Sequence, residues 1–100
     1  MDINNLFSVK GKVAVVTGGS RGIGEMITSG FLANGAKVYI SARKAPALIE
    51  KAEELSIRYD MECIAIPCDL STKDGINDFV SQISSKENGI DFLINNAGAA

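Results

Sequence analysis

The stretch VAVVTGGSRGIG, Val13 to Gly24, constrains the fold more than any other part of the chain. Its first part is a short apolar run. Its second part, TGGSRGIG, gives four of eight positions to glycine and keeps one cation, Arg21. An apolar run of strand length that breaks into glycines and then into helical periodicity is a strand turning tightly into a helix.

The same unit recurs downstream. Lys12 to Val16 is predicted as a first strand, and Ile23 to Ala33 as a helix with Ile23, Met26, Ile27, Gly30 and Phe31 toward the sheet. Asn34-Gly35 ends that helix, as a left-handed cap requires. Lys37 to Ser41 is a second strand. The helix after Pro46 carries Leu48, Ala52, Leu55 and Tyr59 along one face. Its charges between Glu50 and Glu54 form a solvated face. Cys63 to Pro67 is a third strand, Ser71 opens a capping-box-like start, and Ile76, Phe79, Val80 and Ile83 give the next helix its apolar side. Asp91 to Asn95 is the fourth strand. Strands alternating with helices make βαβ units, and right-handed crossovers bury such strands on both faces of a parallel sheet. The expected fold is therefore α/β, half of a doubly wound parallel sheet.

Composition excludes several functions. Apolar residues are 46% and charged residues 22% of 100 positions, an ordinary globular balance. The net charge of −2 gives no footprint for nucleic acid or an anionic membrane. No apolar run approaches the roughly 20 residues of a membrane span, and the N-terminal MDINNLFSVKGK is neither a secretory signal nor a transit peptide. A soluble, cytoplasmic protein is expected. The chain has no histidine, which removes His-dependent nucleophile schemes and most zinc sites. Cys63 and Cys68, an odd number of residues apart, are expected as free, structural thiols on opposite faces of a strand. No metal site is expected.

The glycine loop sits where such folds bind anions, at the end of the first strand and the start of the first helix. Gly18, Gly22 and Gly24 remove the Cβ atoms that would keep backbone N–H groups from a pyrophosphate. They have a second reading as no more than a tight turn. A Walker A loop needs Lys-Ser/Thr after its last glycine, where this chain has Glu25-Met26. The spacing is also not G-x-G-x-x-G but T-G-x-x-x-G-x-G.

That spacing, together with NNAG at Asn95 to Gly98, resembles the N-terminal part of a classical short-chain dehydrogenase/reductase, from about Phe7 to Gly98. Extended members carry a further glycine where Arg21 stands. The resemblance implies the N-terminal half of a Rossmann-type doubly wound sheet, four strands in the order 3-2-1-4, and a dinucleotide cofactor. NAD enzymes hold the adenosine ribose with an acid at the end of the second strand. Here VYISARK has Ala42 at that position, so Arg43 and Arg21, helped by the Ser20 hydroxyl, can converge on a 2′-phosphate. NADP is the expected cofactor. Arg43 also has a reading as a solvated surface charge.

Other roles rest on the resemblance alone. It implies that Asp69 contacts the adenine with Leu70 beside it, that Asn96, Ala97 and Gly98 line the ribose and nicotinamide side, and that Ile23 lies against the cofactor. Asp69 could instead be a turn or cap residue. Thr17 and Asn95 are expected to brace the first and fourth strands.

The family's catalytic Tyr-x-x-x-Lys is absent: four residues beyond Tyr39 and Tyr59 stand Arg43 and Cys63. No catalytic residue is assigned. Members of the family run to about 250 residues, so residues 1–100 are expected to be the N-terminal part of one such domain, without its catalytic part. The run GGSRGIGEMITSGFLANGAKVYISARK with IPCDLS is most similar to 3-oxoacyl-(acyl carrier protein) reductase-like members, notably a branch linked to rhamnolipid synthesis. The implied whole enzyme is a homotetramer that reduces a small carbonyl substrate, carrier-linked or free, with NADPH. A non-catalytic NADP-binding module and an inactive fragment are the alternatives.

Overall fold

The computed structural model describes residues 8–96. Four parallel strands alternate with three helices: β1 Val13–Thr17, α1 Gly22–Ala33, β2 Lys37–Ala42, α2 Ala45–Tyr59, β3 Cys63–Pro67, α3 Lys73–Ser84 and β4 Phe92–Asn95. The strand order is β3-β2-β1-β4, as the family resemblance implies. Registers run Val13↔Lys37 to Thr17↔Ser41, Val38↔Cys63 to Ala42↔Pro67, and Ala14↔Phe92 to Thr17↔Asn95. All four strands therefore end at one pole of the sheet.

The two faces are packed unequally. On one, Ala14, Val16, Val38, Ile40 and Cys63 meet Leu32 of α1 and Leu48, Ala52 and Leu55 of α2. On the other, Val15, Tyr39 and Ile66 meet Phe79 and Ile83 of α3, with Val13, Ile64, Cys68 and Leu70 partly buried beside them. Cys63 belongs to the first layer and Cys68 packs on the second, so the two thiols are free and face opposite sides. Burial pushes the Cys63 thiol up to about 12, which leaves it inert as a nucleophile.

Three expectations need correction. The inward stripe of α1 is Gly24, Thr28 and Leu32, with Ile27 and Phe31 beside it. Ile23 and Met26 are 68% and 73% exposed, and Gly30 faces outward. Apolar periodicity misses this stripe because the helix start presses on the glycine loop, where only a small residue fits. The cap of α3 is Thr72, whose Oγ1 accepts the Gly75 N–H at 3.0 Å, one residue later than the predicted Ser71. On α3 itself, Phe79 and Ile83 are buried while Ile76 and Val80 are half exposed, since among the described residues nothing covers that flank.

The two sheet edges also differ. At β3, the Ser56 hydroxyl accepts the Cys63 N–H at 3.0 Å and donates to the Cys63 carbonyl at 3.2 Å, and Pro67 has no N–H to offer. At β4, the last strand of the sheet among the described residues, Leu93 is 61% exposed.

Candidate dinucleotide site

The parallel register collects the ends of β1, β2, β3 and β4 along one rim, where open α/β sheets bind ligands. The β1 end continues into Gly18, whose N–H donates to the Ser41 carbonyl of β2 at 2.8 Å. Gly18 and Gly22 hold φ of +69° and +55°, a region in which a Cβ is strained. A Cβ on Gly24 would overlap the Gly18 carbonyl oxygen and come within 2.8 Å of Asn96 Nδ2. The loop and the first turn of α1 are thus in backbone contact, and glycine at position 24 is the condition for it.

That contact leaves the N-terminus of α1 exposed. Arg21 is its N-cap residue, and its side chain makes no capping hydrogen bond. The first N–H groups of the helix have no intrahelical acceptor by geometry. A Cβ at Gly22 would meet nothing within 4 Å, so the approach to these groups is open. Ser20 is half-buried, and Arg21 and Ile23 are exposed beside them.

The other rim positions arrive from neighbouring strands. Arg43 follows Ala42 directly and is exposed. Beyond β3, Asp69 Oδ1 accepts the Ser71 N–H at 2.9 Å and the Ser71 hydroxyl at 2.6 Å. Those bonds, chiefly the one from the hydroxyl, hold its carboxyl below the usual range, and the charge of Arg43 adds to the effect. Leu70 is half-buried next to it. Beyond β4, the Asn96 N–H donates to Thr17 Oγ1 at 2.9 Å and its Nδ2 to the Gly18 carbonyl at 3.4 Å. Thr17 Oγ1 in turn donates to Asn95 Oδ1 at 3.0 Å. Thr17 and Asn95 are the brace between β1 and β4 that the sequence predicts, and Asn96 ties that brace to the glycine loop. Ala97 and Gly98 lie outside the described residues.

Four residues here escape the sequence reading. Gly19 packs so tightly that a Cβ would come within 2.6 Å of Ile40 and 2.8 Å of Thr28. Thr28 donates to the Gly24 carbonyl at 2.9 Å from a fully buried position. Ser71 sets the direction of the Asp69 carboxylate. Gly75 admits the Asp69 carbonyl against the first turn of α3, where a Cβ would overlap it. A glycine in the first turn of a helix, where it costs stability against alanine, is the signal that could have found Gly75.

The rim fits the phosphates of a dinucleotide on two counts: a glycine loop closed by backbone contact on the helix start, and a helix N-terminus without a side-chain cap whose N-cap residue is itself a cation, Arg21. Ser41, beneath the loop, adds a buried hydroxyl that finds no hydrogen bond among the described residues. Two open grooves of about 460 and 480 Å³ lie elsewhere, along α2 and β3, and contain none of the predicted residues.

Comparison with known proteins agrees with this geometry. The family model described as short chain dehydrogenase matches residues 12–100. A rhamnolipids biosynthesis 3-oxoacyl-[acyl-carrier-protein] reductase of Pseudomonas aeruginosa is 46% identical over 94 residues, 94% of this chain and 36% of that protein. Sorbose reductase of Candida albicans is 36% identical over 99 residues, 99% of this chain and 35% of that protein. Among solved structures, the Pseudomonas aeruginosa RhlG/NADP active-site complex superposes with a TM-score of 0.88 at 46% identity, covering 94% of this chain and 37% of that one. The L-sorbose reductase of Gluconobacter frateurii complexed with NADPH and L-sorbose gives 0.86 at 38% identity, covering 90% and 34%. The chain thus spans about a third of the length of these relatives.

Proposed function

Because the chain belongs to the short chain dehydrogenase family, we propose that it is the cofactor-binding, N-terminal part of an NADPH-dependent reductase. The observation that carries this reading is the contact of Gly24 with the Gly18 carbonyl, which closes the loop on the helix and leaves the helix N–H groups for a pyrophosphate. Gly18, Gly22 and Gly24 would hold the phosphates, with Ile23 alongside. Asp69 and Leu70 would meet the adenine, and Asn96, Ala97 and Gly98 the ribose and nicotinamide side.

The preference for NADP over NAD rests on the end of β2. Ala42 offers no carboxylate to bind a 2′-hydroxyl or repel a 2′-phosphate, and Arg43 follows it. Arg21, Arg43 and Ser20 would bind the 2′-phosphate, the guanidinium groups in bidentate fashion. Two of the similar structures are complexes with NADP or NADPH, which supports the same choice.

The bound cofactor supplies the hydride; the protein supplies binding and orientation. Nothing in residues 1–100 matches the family's proton-donating Tyr-x-x-x-Lys pair. Tyr39 is fully buried and donates to Glu87, which is no position for protonating a substrate. The chain alone is therefore expected to bind the dinucleotide without transferring hydride. In the whole enzyme the substrate would be a ketone, of which a 3-oxoacyl group on an acyl carrier is the first to try, given the Pseudomonas aeruginosa relative described above. Cytoplasmic location and a homotetrameric assembly complete the proposal.

Titration of the chain with NADPH and NADH tests it. The expected result is tighter binding of NADPH, and a loss of about tenfold or more for NADPH alone on Arg43→Asp. Equal losses for both cofactors would sink the assignment of Arg43. The alternative reading, a non-catalytic binder, is separated by the intact mass of the native protein. A mass near 10.6 kDa supports the binder, and a much larger one the reductase.

A further inference from the structure

Helix α3 is attached to the sheet by very little apolar surface. Phe79 and Ile83 are its buried side chains, and Ile76 and Val80 are half exposed. A twelve-residue helix of this kind has little stability of its own in water. Its two ends are fixed more firmly than its middle. At the near end, Thr72 caps the helix through the Gly75 N–H, and the Thr72 hydroxyl donates to the Asp69 carbonyl at 3.1 Å. The loop that carries Asp69 and Leu70 is therefore part of the helix start.

The far end is held by charge. The Lys86 and Glu87 N–H groups donate to the Ile83 carbonyl at 3.0 and 2.9 Å, so Glu87 moves with the helix. Its carboxylate accepts the Tyr39 hydroxyl at 2.5 Å and pairs with Lys37 Nζ at 2.6 Å. Lys37 also lies 5.6 Å from the centre of the Tyr39 ring and 4.0 Å from Glu62, which precedes β3. Tyr39 has no exposed surface and its ring is wedged in the layer beneath α3. The cluster is part-buried, with Lys37 and Glu87 still reaching solvent, and hydrogen bonds to a charged acceptor are stronger than those between neutral groups.

We propose that Lys37, Tyr39 and Glu87 are positioning residues for the Asp69–Thr72 loop, acting through α3. The proposal rests on the reading that this loop meets the adenosine end of the cofactor. Release of Glu87 frees one end of a rod of about 18 Å whose other end is that loop, and the helix then opens as a unit of low local stability. By linkage, a ligand that orders the loop must also tighten the far end.

Hydrogen exchange on the 100-residue chain, with and without adenosine 2′,5′-bisphosphate, tests this in two arms. Glu87→Ala is expected to speed exchange in residues 69–87 by about tenfold while β1 and β2 change little. Glu87→Gln, which keeps an acceptor for Tyr39, is expected to recover part of the protection, and Tyr39→Phe to lose most of it. Should Glu87→Ala not fold, the latter two variants decide. Uniform acceleration over the whole sheet, or none, would overturn the proposal, since a purely structural role predicts one and an idle surface pair the other. In the second arm, the bisphosphate is expected to slow exchange at Ser85, Lys86 and Glu87 in the wild type, and Glu87→Ala to weaken its binding. Binding to wild type without any effect at those three amides overturns the coupling. If wild type does not bind the bisphosphate, the nucleotide reading falls and the positioning role with it, while the exchange of the variants still decides whether the latch holds α3.

Discussion

The two poles of the sheet are finished in opposite ways. At the pole where the strands begin, side chains tie the elements together. Lys37, Glu87 and Tyr39 satisfy one another, and the Asp91 carboxylate accepts the Val13 N–H at 2.9 Å. At the pole where the strands end, the backbone does the closing through Gly18, Gly24 and Asn96, and charges are left over. Among the described residues neither Arg21 nor Arg43 forms an ion pair. Charge neutralised inside the protein fastens elements together. Charge left unpaired beside open N–H groups is available to a ligand. The difference sets a pole closed by side-chain ion pairs apart from one closed by backbone, and the proposed cofactor site lies at the second.

The largest expected effect is at the glycine loop. Gly24→Val is expected to cost about 3 kcal/mol in urea or thermal unfolding, because the collision is with backbone that cannot rotate away. Tyr39→Phe should cost about 2 kcal/mol through the lost bond to a charged acceptor. A smaller loss from Gly24→Val than from Tyr39→Phe would reverse the comparison.

Acid should loosen the other pole first. The bonds from Lys37, and after them Tyr39, hold the Glu87 carboxyl below its ordinary 4.5. A carboxyl lowered in the folded state contributes stability above its unfolded value and loses it as the pH falls through the folded one. Unfolding followed below about pH 4.5 should therefore show a stability loss that Glu87→Gln flattens. The alkaline side has the opposite sign. Burial, with the bond to Glu87, raises Tyr39 above its ordinary 10.0, so its contribution holds below that pH and fades as the pH rises past it.

Two substitutions should do little or slight good. Gly30→Ala meets open space and is expected to gain about 0.8 kcal/mol in helix propensity. Arg43→Asp is expected to leave stability within about 0.5 kcal/mol, while changing cofactor preference. A large stability loss from Arg43→Asp would make the second pole depend on side-chain charge after all.

Legibility in the sequence followed the range of the interaction. The α/β alternation and the glycine loop were readable because they depend on periods and turn chemistry within a few residues, and the strand order followed from the family resemblance. The brace by Thr17 and Asn95 was readable from the motif. The inner stripe of α1 was misjudged because Thr28 and Gly24 are buried for their size rather than their hydropathy. The start of α3 slipped by one residue because Ser71 and Thr72 are both competent caps, and Asp69 recruits Ser71 for its own turn. The latch on Glu87 left no sequence signal, since Tyr39 and Glu87 are far apart in the chain and read separately as a strand aromatic and a surface acid.

By itself, the sequence determined the parallel sheet, the place of the glycine loop and the absence of a carboxylate after β2. Each is a property of residue type and spacing. Tertiary structure alone decided which small residues let α1 close on the loop, which hydroxyl holds Asp69, and which side chains tie the far pole together. Those outcomes depend on distances between segments remote in sequence, and hydropathy and spacing carry no record of them.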